Sequence, residues 1–130
     1  MAKLLVDGSL LHLQPSLAEQ VLDLRRGAFN LPLEAVVRVE VVNKPWGPDG
    51  FSGGVAFGVT ANGAPARALL TVSSRATVKQ GRAAVYVYLN RRSVQVDLDP
   101  LRSPFARVVI SAVHPEVIAA QITRALAELE

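Results

Sequence analysis

Val37-Arg38-Val39-Glu40-Val41 sets valines at every second position with charges between them. That is the period of a strand, and the split into an apolar and a charged face predicts a half-buried strand of an antiparallel sheet. The same grammar recurs downstream. Val85, Val87 and Leu89 alternate with Tyr86, Tyr88 and Asn90, and Val94, Val96 and Leu98 alternate with Gln95 and Asp97. The Arg91-Arg92-Ser93 link between these runs predicts a hairpin. Strands are also expected at Val55 to Thr60 and Arg67 to Ser73, joined by the turn-forming pair Asn62-Gly63, and at Phe105 to Ser111.

Toward the N-terminus, Lys3 to Val6 and Leu10 to Gln14 flank Asp7-Gly8, a pair that supplies the positive φ of a tight hairpin. Pro15 and Ser16 open a brief helix in which Ser16 and Glu19 have capping-box spacing, Leu17, Val21 and Leu24 share a face, and Gly27 ends the helix. Phe29 to Leu33 is extended again, with Pro32 marking an edge or strand end. Residues 43–54 are dominated by Pro and Gly and form a loop anchored by Trp46 and Phe51. At the C-terminus the period changes. His114-Pro115-Glu116 starts a helix, and Ile118, Ile122, Ala125, Leu126 and Leu129 form an apolar stripe that needs the sheet as its partner.

These elements predict a mainly β (α+β) fold. A bent antiparallel sheet or partly open barrel of about seven strands is capped by a C-terminal amphipathic helix, with a short helix inserted after the first hairpin. One domain spans residues 2–130, since no repeat, low-complexity tract or polar linker divides the chain. Apolar residues make up 50% of the sequence and charged ones 19%, enough to build one core and too apolar for a disordered chain. With no cysteine, disulfides and thiolate metal sites are excluded. No apolar run reaches about 18 residues, and Asp7-Gly8 interrupts the N-terminus before a signal sequence could form, so a cytoplasmic location is expected. The formal charge of +3 is spread singly, apart from Arg25-Arg26 and Arg91-Arg92, without the basic block or stacking array of a nucleic-acid binder.

The order of elements resembles the bacterial pleckstrin-homology-like (PH-like) domains, and more narrowly an uncharacterised actinobacterial group. The resemblance is carried by residues 31–46, from Leu31-Pro32-Leu33 to Lys44-Pro45-Trp46, by Ala84-Val85-Tyr86-Val87-Tyr88-Leu89, and by residues 107–116, from Arg107-Val108-Val109 to His114-Pro115-Glu116. His114 stands where similar sequences often carry an acidic helix cap. The resemblance implies the fold and a binding role toward lipid headgroups, peptides or proteins, with no common ligand.

One catalytic pattern is present. Gly50-Phe51-Ser52-Gly53-Gly54 satisfies Gly-x-Ser-x-Gly, and Asp97 or Asp99 and His114 follow in the chain order of a serine hydrolase. That chemistry needs a strand-to-helix turn at the serine, whereas Ser52 lies between a Pro/Gly loop and a β-pattern, so a serine esterase is disfavoured. The Gly-rich loop also lacks the Gly-Lys-Ser/Thr end of a phosphate-binding loop. His12 and His114 have no ligand spacing, and no metal or cofactor is expected.

The leading expectation is therefore a non-catalytic binding or scaffold module acting through an unknown protein partner or as a homo-oligomer. Trp46, Tyr86 and Tyr88 are the candidate contact residues, because the tyrosines lie opposite Val85 and Val87 and are either covered or offered to a partner. The alternative is anionic lipid headgroup binding at a membrane surface through Arg25, Arg26, Lys44, Arg75, Lys79 and Arg82.

Overall fold

A computed structural model describes residues 2–22, 27–43, 58–60, 68–78, 80–88 and 91–129. Among them are nine strands in two sheets and two α-helices. The first sheet has the order β1-β2-β3, formed by Lys3–Asp7, Leu10–Gln14 and Phe29–Pro32. A 3-10 turn at Leu33–Ala35 leads into the second. This has six strands in the order β4-β8-β9-β7-β6-β5, where β4 is Val36–Val42, β5 Gly58–Thr60, β6 Ala68–Val78, β7 Gly81–Val87, β8 Ser93–Leu98 and β9 Arg107–Ser111. Helix α1 spans Leu17–Leu22, and α2 spans Pro115–Leu129.

The mainly β architecture with a terminal helix is the one expected. The sheets remain separate and do not close into a barrel. They face each other across the main core, where Leu11, Leu13, Phe29 and Leu31 of the first meet Tyr86, Val94, Val96, Val108 and Ile110 of the second. Phe29 packs edge-on against Phe105 with ring centroids 5.0 Å apart. Helix α2 touches β1 in one sheet and β4 and β8 in the other. Ile122 on it is buried, and Ile118, Ala125 and Leu126 pack on the same core, so the stripe fills the opening between the sheets. Leu129 is an exception, at 49% exposed.

The first hairpin forms as expected, with Asp7 opposite Leu10 and Gly8 at φ 62°. Three readings need correction. The runs at β7 and β8 do not form a hairpin: β9 lies between them, antiparallel to β8 and parallel to β7. The reason is two-sided burial. Ala83 to Val87 and Val108 to Ile110 are all at most 1% exposed, and strands apolar on both faces belong in the middle of a sheet. The hairpin partner of β7 is instead β6, through Val78 opposite Gly81.

In β4, the register steps from Val36 opposite Leu98 to Arg38 opposite Asp97. Val37 is therefore the extra residue of a β-bulge and is 72% exposed, while Val39 keeps its place on the core. In α1, Leu17 does not join a buried face, being 80% exposed, whereas Glu19 is fully buried. Leu24, Asn62 and Gly63 lie outside the described residues, as does the loop of residues 44–57.

Candidate functional site

The capping box at α1 forms and does more than cap. Ser16 Oγ accepts from the Glu19 amide at 3.2 Å, and Glu19 Oε1 accepts from the Ser16 amide at 2.7 Å. The other carboxyl oxygen turns inward. It accepts from the Ala2 amide at 3.2 Å and from the Tyr88 hydroxyl at 3.0 Å, so one side chain ties α1 to the start of β1 and to the end of β7. Tyr88 is fastened a second time, its amide donating to Ser111 Oγ at 2.9 Å.

Burial, then the negative charge of Glu19 and the hydrogen bond to it, push the Tyr88 phenol from 10.0 up to about 12. The native state thus favours the protonated phenol. Its contribution to stability is fully present below about pH 10 and is lost as pH rises through about 12. An ultraviolet phenolate titration of wild type and of Tyr88→Phe should differ by a late-titrating tyrosine. A difference curve centred near pH 10 would contradict the Glu19 contact.

Beyond this knot, the first half of β1 and the connection from β9 into α2 stand apart. They leave a cleft of about 490 Å³ lined by Ala2 to Leu5 on one wall and by Ser111 to His114, Val117, Ile118 and Gln121 on the other. Its rim is apolar and solvent-facing: Leu5 is 49%, Val113 71% and Val117 51% exposed. The titratable side chains on it are Lys3 and His114. Such a surface suits contact with apolar groups of another polypeptide better than acid-base chemistry.

On the face of β4 and β8 turned away from the main core, polar side chains pair within the fold, except that Gln95 Oε1 is buried without a partner among the described residues. Arg38 pairs with Glu40 at 2.9 Å, Gln95 Nε2 donates to Glu40 Oε1 at 3.1 Å, and Arg107 pairs with Asp97 at 2.7 Å. A second cleft of about 410 Å³ opens beside Arg38, Asp97, Asp99 and Arg107. Its charges are already engaged within the fold: Asp99 Oδ1 accepts from the Leu101 amide at 2.9 Å, and its other oxygen lies 3.8 Å from Arg102.

The structure describes only some of the residues singled out from sequence. Tyr86 is 1% exposed within the main core and offers no contact surface, which corrects its assignment to a partner-binding face. The period-2 reading placed it opposite Val85 correctly, but both faces of β7 are covered. Tyr88 is half-buried and held by Glu19. Trp46, Lys44, Ser52, Arg25, Arg26 and Lys79 lie outside the described residues. Arg75 is on β6 next to the irregularity between Ser73 and Ala76, and Arg82 is exposed on the neighbouring β7 opposite Thr77.

Of the proposed hydrolase partners, Asp97 lies opposite Arg107, whereas Ser93 lies opposite Ser111 near His114. The aspartates and the histidine thus stand at opposite ends of β9, separated by roughly 13 Å of strand. His12 is hydrogen-bonded to Asn30 Oδ1 at 2.6 Å on the polar face of the first sheet. Among the described residues, no group of three or more His, Asp or Glu side chains could hold a metal, and no helix is long and apolar enough to cross a membrane.

Sequence reasoning missed Glu19 as a buried tether and the Leu5, Val113, Val117 surface. The first had a signal in the capping box, but the second is assembled from segments more than 100 residues apart. Comparison with known proteins supplies no relative, for no family model, no curated protein and no solved structure matches this chain.

Proposed function

We propose that this chain is a non-catalytic binding module that works through contact with a protein, a second copy included. The observation that carries this reading is the cleft between β1 and α2, whose rim exposes Leu5, Val113 and Val117 together. Apolar side chains gathered on one surface gain free energy when a partner covers them. The spacing of Asp97 and Asp99 from His114 supports the same reading by leaving the hydrolase set unassembled. The resemblance of the sequence to PH-like domains favours a binding role as well.

The test is light scattering across a concentration series, joined to affinity capture, for wild type and for Val117→Asp. Val117 is exposed, so the substitution should leave the melting curve within about 0.5 kcal/mol of wild type. Wild type should associate or retain a discrete partner, and the variant should lose that contact. Identical monomers retaining nothing would defeat the proposal.

A further inference from the structure

Among the described residues the outer edge of β1 is unpaired, and its geometry specifies a partner. Leu33 donates its amide to the Ser9 carbonyl at 2.9 Å, so that carbonyl points toward β3. Alternation along the strand then turns Leu11 and Leu13 toward β3, and Leu10, His12 and Gln14 toward β1. Pro32, which has no amide proton, accordingly stands opposite Leu10, where β3 owes β2 no bond. In β1 the residues bonded to β2 are Lys3, Leu5 and Asp7, opposite Gln14, His12 and Leu10. The amides and carbonyls of Leu4 and Val6 therefore point outward, and no hydrogen bond from another described residue reaches them. At Ala2 the edge ends, because that amide is taken by Glu19.

We propose that two copies of this chain pair antiparallel through β1, centred on Leu5, and join their three-stranded sheets into one of six strands. This rests on the reading of the chain as a protein-binding module and names its surface. The parity is self-consistent. A two-fold centred on Leu5 sets Leu4 opposite the partner's Val6, which are the outward-pointing groups, so four backbone hydrogen bonds form.

Leu5 then faces its own copy in a pair without backbone bonds, where side chains approach most closely. Lys3, Leu5 and Asp7 are all exposed on the outer face of β1. The same axis places Lys3 against the partner's Asp7 and Asp7 against the partner's Lys3, so both ends of the interface are charge-matched. The cleft beside the edge gives the incoming strand room, and its rim residues Val113 and Val117 become covered.

Sedimentation equilibrium at low salt on the full chain tests this with Lys3→Asp, Asp7→Lys and their equimolar mixture. Each single variant carries like charges at both positions, acidic in one and basic in the other. Each should self-associate roughly tenfold or more weakly than wild type, and the mixture should recover wild-type strength as a heterodimer. Circular dichroism melts confirm that each variant is folded. Equal association in all preparations would overturn the β1 register while leaving self-association through another surface. A wild-type monomer at every concentration would overturn the pairing itself, and the Val117→Asp comparison then decides separately whether a different protein occupies the cleft.

Discussion

Ile122→Asp is expected to lower the melting temperature by roughly 10–20 °C, the equivalent of about 3–5 kcal/mol. Ile122 is 1% exposed and belongs to the main core together with residues of both sheets. An aspartate there loses the transfer free energy of the isoleucine and sets a charge among Leu4, Leu33 and Leu98, which belong to the same cluster and provide no polar side chain.

The effect exceeds that of losing one contact, because α2 is the element filling the gap between β1 and β4. Undocking it would open the main core between the two sheets to solvent. Val117→Asp, one turn and a half away on the exposed side of the same helix, is the control for helix propensity. A melt of Ile122→Asp that superimposes on wild type would show that α2 does not hold the sheets together.

Glu19→Ala should cost about 3–5 kcal/mol in urea unfolding at neutral pH, although the residue it replaces is charged by type and the replacement favours helix. The reason is the number of donors that converge on it. The Ser16 amide, the Ala2 amide and the Tyr88 hydroxyl all point at its two oxygens, and the side chain is completely buried. Alanine removes the acceptors and leaves the donors in place, the Ala2 amide buried and the Ser16 amide and Tyr88 hydroxyl part-buried, each unsatisfied group costing up to about 1–3 kcal/mol.

Glu19→Gln retains the shape and one carbonyl oxygen, so it should fall between alanine and wild type. Tyr88→Phe removes a single donor and should cost about 1 kcal/mol. If Glu19→Ala unfolds within about 1 kcal/mol of wild type, the tether among α1, β1 and β7 is ornamental to stability.

The two variants test opposite kinds of knowledge. The stripe containing Ile122 is visible in the spacing of residues 118 to 129, and its docking on the sheet follows from the need to bury it. Glu19 was visible as a capping-box residue, and both reciprocal bonds form. That its second oxygen reaches Tyr88, 69 residues on, was not. Local spacing reports which face of an element is apolar, and it is silent on which distant donor that element will meet.

The same distinction governs the strands. Alternation at Val39, Val94 and Val96 marked inward-facing positions correctly, yet a bulge moved Val37 out of phase, because one inserted residue reverses the facing of what precedes it. Pairing was harder. Neighbouring runs at β7 and β8 read as a hairpin, whereas β9 came between them.

The amino-acid sequence by itself determined the class of fold, the turn at Gly8, the start of α2 at Pro115 and the apolar stripe, since each depends on residues within one or two turns of chain. The order β4-β8-β9-β7-β6-β5, the burial of Tyr86, the Glu19 tether and the cleft at Leu5, Val113 and Val117 were decided by tertiary structure. The physical reason is that these features arise from competition among several apolar strands for the centre of one sheet. The winner is set by burial on both faces at once, a property of the assembled core and not of any segment.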